Sequence, residues 1–406
     1  MSFQQGLSGL NAASKSLDVI GNNVANANTI GFKMSEAEFA DVFANSLNGS
    51  GGTQVGIGTT VRAISQEFSQ GNITVTNNPL DIAVNGKGFY RMSNNGAITY
   101  SRNGQFQLDK DGYIVNSDGA RLTGYIANAA GALNTSTPAD LKLASNDSMP
   151  NATGKVNGVL NLDSREAPPT GAFNLSDPKT YNSSTSVAVF DSLGNTHTLS
   201  LYFVKTAANS WGVYGTSDGT QIGAGAIGTM RFKGDGTIDT ATTTLPFSVS
   251  TPVTTGAASP LTYKLDFTGT TQFGSGFGVN SLAQDGYSSG RLSGLSVGAD
   301  GVIQGRYTNG QATRLGQVTL ANFSNPQHLQ PMGGNSWAET SQSGAPLIGA
   351  PGSGTLGVLQ SAAVEDSNVD LTAELVNMIT AQRVYQANAQ SIKTQDAVLQ
   401  TLVNLR

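Results

Sequence analysis

The sequence predicts a multidomain α+β protein in which paired, coiled-coil-like N- and C-terminal α-helices flank nested β-rich domains. Glycine contributes 50 of 406 residues, which favours turns and strands over long helices. Asn-Gly and Asp-Gly dipeptides, the strongest short hairpin signal, recur only between Asn48-Gly49 and Asn309-Gly310. Heptad spacing of apolar residues marks the two chain ends, which indicates helices there.

The first predicted element is an N-terminal helix with a narrow apolar seam. Its seam residues follow one another at spacings of three and four, interrupted by Ser14 and Gly21. The predicted assembly seam on this helix is Leu7, Leu10, Leu17 and Val24.

The helix runs into the stretch NNVANANTIGFK, residues 22–33, which holds four asparagines and no acidic residue. Asparagine side chains bond to nearby backbone and tolerate left-handed geometry, so they end helices and form turns. We predict that they stop the helix here and offer amides to a neighbouring subunit, while Gly31 supplies backbone freedom and Phe32 an anchor. A plain asparagine-rich helix stop, without a partner, remains the alternative. The predicted signature turn is Asn22, Asn23, Asn26, Gly31, Phe32 and Lys33.

The middle of the chain predicts β structure in two nested domains. Residues 41–60 are too rich in Gly and Ser for a core, and we interpret residues 33–66 as a flexible connector. Residues 146–284 shift toward Thr, Ser, Ala and Gly, which indicates an inserted outer domain. The resulting plan has a terminal helical domain from 1–32 plus 366–406, a β-rich domain from 67–145 plus 285–365, and an inserted β-rich domain from 146–284.

The last predicted element is a long helix that follows a capping-box pattern at Ser367–Asp370 and has no Gly or Pro up to Arg406. Its outward positions are mainly uncharged amides and threonines, which indicates burial against other subunits rather than exposure to water. An isolated pair of such helices buries little surface, so we expect disordered or loosely helical ends in the monomer. The predicted seam on this helix is Leu371, Leu375, Met378, Tyr385, Ile392, Leu399 and Val403.

Composition excludes several classes of partner. Only 12% of residues are charged, the net charge is −5, and no basic run occurs, so nucleic acid is not expected to bind. The absence of cysteine excludes disulfides and thiolate metal sites. No apolar run approaches a membrane span, so direct membrane insertion is not expected. The N-terminus lacks the features of a cleaved signal peptide, and export would proceed without one.

The sequence does not predict an enzyme. His197 and His328 are its two histidines, and neither has an evident acidic or cysteine partner nearby in the chain. The G-x-S-x-G match at Gly294–Gly298 leads into a turn at Ala299–Gly301 instead of a helix. We therefore expect no catalytic, metal or cofactor-binding residues.

Four segments carry a resemblance to a known family. NNVANANTIGFK and residues 367–406, SNVDLTAELVNMITAQRVYQANAQSIKTQDAVLQTLVNLR, closely resemble the terminal signatures of bacterial flagellar rod and hook axial proteins. NPLDIAVNGKGFYRM at 78–92 and YSRNGQFQLDKDGYIVNSDGARLTGY at 100–125 resemble the β-domain motifs of that family. The chain length and the single insert are similar to hook members of the family rather than to the shorter rod members.

The resemblance implies a structural subunit of the flagellar hook, polymerising into a curved tube that transmits torque from rod to filament as a universal joint. It implies passage through the flagellar type III export apparatus. The implied partners are further copies of the chain, the hook cap, the distal rod protein and the hook–filament junction protein. Two alternatives remain: a distal rod protein of the same family, against which residues 146–284 argue, and a non-enzymatic β-rich surface adhesin or binding protein.

Overall fold

The computed structural model describes residues 2–42, 56–128, 131–143 and 147–404. Helices at both ends flank a large β-rich body of several sheets, which confirms the predicted fold class. The chain forms two compact units. The first comprises Met1–Ser145, Gly294–Arg306 and Ala312–Arg406, and the second comprises Asn146–Ser293 and Tyr307–Gln311. Within the described residues, no helix is both long and apolar enough to cross a membrane.

The chain begins with helix α1 (Ser2–Ala25) and a two-stranded ribbon of β1 (Ser35–Val42) and β2 (Gly58–Gln66). The strands are antiparallel, with Ser35 opposite Gln66 and Val42 opposite Gly58. The prediction of a flexible connector over residues 33–66 is therefore wrong for these strands. They satisfy each other's backbone hydrogen bonds and contact α1 along its length. Residues 43–55 of that prediction lie outside the described residues.

The remaining strands are mostly short. The first series is β3 (Ile73–Val75), β4 (Ile82–Asn85), β5 (Phe89–Asn94), β6 (Ala97–Ser101), β7 (Gln107–Leu108), β8 (Ile114–Val115), β9 (Arg121–Ile126) and β10 (Ala139–Asp140). The second series is β11 (Lys155–Asp163), β12 (Ser183–Phe190), β13 (Thr196–Ala207), β14 (Ser210–Ser217), β15 (Thr220–Gln221), β16 (Gly228–Arg231), β17 (Phe247–Thr251), β18 (Leu261–Asp266), β19 (Thr271–Phe273) and β20 (Gly278–Gln284). The third is β21 (Leu292–Val297), β22 (Val302–Tyr307), β23 (Ala312–Val318), β24 (Leu320–Asn322), β25 (Gln330–Gly333), β26 (Ser336–Ala338), β27 (Leu347–Gly349), β28 (Val358–Ser361) and β29 (Ala363–Glu365), before helix α2 (Leu371–Asn404).

The first unit is built on one large sheet, whose central order is β21-β22-β23-β9-β5-β6-β26-β25. Beside it, β28 pairs with β4 and β29 pairs with β3, both antiparallel. These two pairings join the strands just before α2 to the strands that follow the ribbon. The core of the first unit contains fully buried side chains from seven of its strands: Ile82, Tyr90, Ile114, Leu122, Ile303, Val318 and Leu320.

The second unit consists of two five-stranded sheets around a shared core. One has the order β17-β18-β11-β19, with β20 also paired to β11, and the other has the order β12-β13-β14-β15, with β16 paired to β14. Alternating residues of β11 and β13 point into the core, as expected for sheets with one buried face. Large, fully buried side chains here are Trp211, Phe203, Phe267 and Leu160.

Local signals explain the hairpins and the start of the last helix. Asn95 and Gly96 have φ values of 51° and 94° and join β5 to β6 in the tight turn expected of Asn-Gly. The predicted capping box is wrong in detail, because Asp370 rather than Ser367 caps α2. Its Oδ1 accepts hydrogen bonds from the backbone N–H groups of Thr372 at 2.9 Å and Ala373 at 3.1 Å.

Candidate assembly site at the terminal helices

Helices α1 and α2 pack against each other in antiparallel orientation through small residues on α1. A Cβ atom added to Gly6 would lie 3.0 Å from Cγ1 of Ile392, and one added to Gly9 would lie 2.8 Å from Oδ1 of Asn388. The helices approach closely here because no α1 side chain stands between them. The packed positions on α1 follow one another at spacings of three, four or seven residues, that is, one or two helical turns: Gly6, Gly9, Ala13, Ile20 and Asn23.

This packed face differs from the predicted seam. On α1 the contact lies beside Leu7, which is 45% exposed, because the small residues next to it permit a closer approach than leucine would. On α2 the buried positions are Glu374 and Ala381. Half-buried members of the predicted seam are Leu10, Leu17, Val24, Met378 and Ile392. Exposed members are Leu7, Leu371, Leu375, Tyr385, Leu399 and Val403.

Asn23 fastens the end of α1 to the ribbon and to α2. Its Nδ2 donates to the carbonyl of Ser35 at 2.8 Å, and its Oδ1 accepts from the N–H of Ser35 at 3.0 Å. The same Nδ2 lies 3.3 Å from Oε2 of Glu374. The side chain is 1% exposed. The prediction that Asn23 offers its amide to a neighbouring subunit is therefore wrong, because the amide is buried and bonded within the chain.

Asn22 and Asn26 lie at the C-terminal end of α1 and bond to each other. Asn26 Nδ2 donates to the carbonyl of Asn22 at 2.9 Å, and Asn26 Oδ1 accepts from Thr29 Oγ1 at 3.2 Å. These bonds satisfy backbone groups at the end of α1 and turn the chain toward the body. Their side-chain bonds are all local, which favours the alternative of a helix stop that needs no neighbouring subunit.

Gly31 and Phe32 lead the chain into the first unit. Gly31 has a φ of +71°, and a Cβ atom there would lie 2.6 Å from the backbone nitrogen of Asn103. Both the conformation and the close approach require glycine. Its N–H donates to the carbonyl of Glu365 at 2.8 Å. Phe32 is buried, as expected of an anchor.

Lys33 ends the signature turn in a buried cluster of charges. Its Nζ lies 2.6 Å from Glu365 Oε1 and donates to the carbonyl of Ser69 at 2.6 Å. Arg102 Nη1 donates to the other carboxylate oxygen of Glu365 at 3.1 Å. Lys33 and Glu365 are fully buried and Arg102 nearly so. Two cations thus share one carboxylate, and burial lowers the pKa of Lys33 although Glu365 opposes that shift.

Neighbouring backbone adds hydrogen bonds to this cluster, although Arg102 Nε is buried without a partner among the described residues. The N–H of Gly71 donates to Glu365 Oε1 at 3.1 Å, and Arg102 Nη2 donates to the carbonyl of Gly86 at 2.9 Å. The Arg102 guanidinium also lies over the ring of Phe89, 5.3 Å from its centroid. Such bonds are what a charged group needs if it is to remain buried.

Asn368 makes a second connection between the two ends of the chain. Its Oδ1 accepts from the N–H of Met34 at 2.8 Å, and its Nδ2 donates to the carbonyl of Glu67 at 2.8 Å. Sequence reasoning missed Arg102, Glu365 and Asn368. Two signals were available in the sequence. Arg102 lies within the motif at residues 100–125, and Glu365 directly follows the apolar residues 362–364.

Residues of α1, α2 and the ribbon line a cavity of ≈ 680 Å³ that is open to solvent. We call it the helix–ribbon cavity. Its lining combines apolar side chains with uncharged polar ones and two glutamates. The apolar members include Ala12, Ala13, Val19, Ile20, Phe39, Ala381 and Val384. The polar and charged members include Ser16, Asn23, Glu36, Glu374, Asn377, Thr380 and Asn388.

In the second unit, the expectation that His197 has no acidic partner nearby in the chain is wrong, because Asp191 lies six positions before it and contacts it. His197 is buried, with Nδ1 2.6 Å from Asp218 Oδ2 and Nε2 3.3 Å from Asp191 Oδ2. Burial lowers the pKa of His197, but the hydrogen bonds to the two carboxylates outweigh it, so the pKa is raised. Asp191 also accepts from Thr255 and Asn195 and holds a pKa below its usual range, although burial opposes this. Among the described residues, no group of three or more His, Asp or Glu side chains is placed to hold a metal ion.

Four family models match the chain. They are described as flagella basal body rod protein (residues 3–33), flagellar hook protein FlgE/F/G D1 domain (83–148), flagellar basal body protein FlaE D2 domain (161–287) and flagellar basal body rod FlgEFG protein C-terminal (360–405). Together they cover more than half of the sequence and include both terminal segments.

Relatives match over the whole length. The chain is 43% identical to the flagellar hook protein FlgE of Escherichia coli (strain K12), covering 100% of both chains. It is 32% identical to flagellar hook protein FlgE of Rhizobium meliloti (strain 1021), covering 100% of this chain and 98% of that one. The crystal structure of Helicobacter pylori flagellar hook protein FlgE2 has a similar fold, with a TM-score of 0.52, 14% identity, and coverage of 72% of this chain and 99% of that chain.

Proposed function

Because the chain belongs to the flagellar hook protein family and is a structural subunit of the bacterial flagellar hook, we propose that the exposed apolar positions of its terminal helices form the surface through which copies assemble. Hook proteins of this family are built into the hook and associate with the basal body, so copies of the chain must meet one another. The full-length relatives favour this role over the distal rod and adhesin alternatives.

The main support is that α2 exposes nine large apolar side chains among its described residues, which are distributed along its length and around its circumference. The exposed apolar members are Leu371, Leu375, Val376, Ile379, Val384, Tyr385, Val398, Leu399 and Val403. A soluble protein rarely leaves so many large apolar side chains of one helix in water unless partners cover them. Burial of apolar surface contributes about 25 cal/mol per Å², so covering these side chains would favour assembly.

The chemistry of the remaining helix surface suits contacts between identical subunits. Residues 386–392 carry no charge, and the exposed side chains along α2 include many amides and threonines. Covering such a surface leaves few unpaired charges out of water. We propose that the assembled tube is curved and transmits torque from rod to filament as a universal joint, with the β-rich body carrying contacts that slide.

We further propose the partners that the family resemblance implies: the hook cap, the distal rod protein below, the hook–filament junction protein above, and the flagellar type III export apparatus. The role is structural, and we propose that the chain has no enzymatic activity or cofactor. Support comes from the structural character of the family.

A paired substitution tests the assembly surface. Leu375→Ser with Ile379→Ser removes two exposed apolar side chains one turn apart on α2, 45% and 52% exposed. The matched control, Val75→Ser with Met332→Ser, removes two side chains that are 71% and 60% exposed on the β-rich body. Each full-length protein is concentrated under mild salting-out and examined by negative-stain electron microscopy and sedimentation.

We expect tubes from the wild type and the control but few or none from the helix variant, with the unfolding midpoint in urea unchanged in all three. Tubes from the helix variant at wild-type yield would place the assembly surface elsewhere. No ordered polymer from the wild type would contradict assembly through the chain's own surfaces.

A further inference from the structure

The two helices differ in length, and the excess of α2 extends beyond α1. Asn23 contacts Glu374 and Gly9 lies against Asn388. Continuing this register places Ser2 opposite Gln395. About nine residues, from Asp396 to Asn404, therefore extend past the start of α1, roughly 13 Å at 1.5 Å per residue. We call this segment the α2 overhang.

The α2 overhang is apolar and has no cover within the described chain. Val398, Leu399 and Val403 are 55%, 54% and 74% exposed. Asp396 is the one charged residue between Thr394 and Leu405, and its carboxylate accepts from Gln400 Nε2 at 3.1 Å. A helical end of this kind exposes a compact apolar surface with little charge to desolvate.

The helix–ribbon cavity offers the complementary surface. It is open, and its lining includes alanine, valine and isoleucine side chains together with uncharged amides. One of its two lining glutamates, Glu374, already bonds to Asn23 and Asn377. If the α2 overhang entered the cavity, its apolar side chains could therefore contact apolar lining residues, and its amides could bond to lining amides.

The two surfaces cannot meet within one copy. Ala381 lines the cavity and Leu399 lies in the overhang of the same continuous helix. Eighteen residues separate them, roughly 27 Å along the axis. A contact between two different patches on identical copies is heterologous, and repeating it without closure generates an open helical polymer. That is the assembly a hook subunit needs.

We propose that the α2 overhang of one copy docks in the helix–ribbon cavity of another copy. This inference rests on the proposed assembly role of the terminal helices and adds to it the pairing of surfaces. The occupant is a second copy of the chain because the chain supplies both the apolar helix end and the cavity, and because its family assembles from copies of itself.

Cross-linking between single-cysteine chains tests the pairing, since the wild type has no cysteine. One full-length chain carries Leu399→Cys and a second, tagged chain carries Thr380→Cys in the cavity lining. Both positions are exposed, so the substitutions should leave the fold intact. Mixed polymers are treated with a short bismaleimide. The control mixture replaces the Thr380→Cys chain with a Val75→Cys chain.

We expect several-fold more cross-linked heterodimer from the Leu399/Thr380 mixture than from the Leu399/Val75 mixture, and no such excess before assembly. Polymers that form normally with equal heterodimer in both mixtures would overturn the docking while leaving the assembly role standing. Failure of the wild type to polymerise would overturn both. Val403→Asp should independently raise the protein concentration at which polymer first appears, because the overhang then carries a charge into the cavity.

Discussion

The ammonium group of Lys33 lies 2.6 Å from the Glu365 carboxylate, although 332 positions separate the two residues. Lys33 closes the segment that leaves α1, and Glu365 ends the last strand before α2. With Arg102 on the other carboxylate oxygen, the pair fixes both ends of the chain to the first unit. The helix pair is therefore anchored at its base by charges that must be paired to remain buried.

Glu365→Gln should destabilise the chain more than Lys33→Met. Loss of the carboxylate leaves two buried cations together, a change of the kind that costs about 3–5 kcal/mol. Loss of the lysine leaves one Arg102–Glu365 pair and puts an apolar chain of similar length in the cavity it occupied. Urea unfolding measures both. If Lys33→Met lowers the free energy of unfolding as much as Glu365→Gln does, or more, then the shared carboxylate is not what keeps the two cations buried.

Asn23→Ala should destabilise the junction of α1 with the ribbon far more than Asn26→Ala. The partly buried backbone groups of Ser35 and the buried carboxylate of Glu374 would each lose a partner, and each group left unsatisfied costs about 1–3 kcal/mol. Asn26 Nδ2 instead donates to the carbonyl of Asn22 at the exposed C-terminal end of α1, a hydrogen bond worth about 1 kcal/mol net. Urea unfolding gives the totals, and amide exchange at Ser35 locates the effect. A similar loss in the free energy of unfolding for the two variants would contradict the role of Asn23 in joining α1 to the ribbon.

Gly31→Ala should lower the melting temperature more than Gly96→Ala. Both glycines have positive φ, so both alanines are strained by about 1–3 kcal/mol. Only at Gly31 would the new Cβ meet backbone atoms, 2.6 Å from the nitrogen of Asn103, whereas nothing lies within 4 Å at Gly96. The difference between the two variants isolates the close approach. Equal melting temperatures for the two variants would show that the backbone around Asn103 shifts at little cost to accept the new Cβ atom.

The second unit should be more stable at a pH of about 5.5 than at about 8. The pKa of His197 is raised in the folded chain, so its protonation stabilises the fold fully below the unfolded pKa of about 6.5. That contribution is lost as the pH rises through the folded value. Amide exchange of β13 in the full chain measures the change. His197→Gln should abolish it, and an unchanged pH dependence in this variant would assign the effect to other groups.

Helix α2 should exchange its amides faster than the β-rich body in the monomer, most of all in the overhang. Although α1 packs against it, α2 buries only Glu374 and Ala381 among its described side chains, and a helix that buries so little opens locally at small free-energy cost. Hydrogen–deuterium exchange before and after assembly tests this expectation. Protection across residues 371–403 in the monomer as strong as that of β5 would contradict it.

The sequence by itself determined the helical ends, the hairpins and the family. Heptad spacing and the absence of Gly and Pro identify α2, and Asn95-Gly96 identifies a hairpin, because each depends on residues close together in the chain. The four signature segments identify the hook protein family for the same reason. Each is a continuous stretch whose pattern is complete in itself.

Tertiary structure alone decided which faces and charges meet. Leucine spacing favoured a seam through Leu7, yet α1 packs through Gly6 and Gly9, because the closest approach of two helices depends on the smallest side chains. Asn23 looked available to a neighbour and instead binds Ser35. Lys33 meets Glu365 only after the strands between them have paired. No local spacing encodes a contact that the whole chain must fold to create.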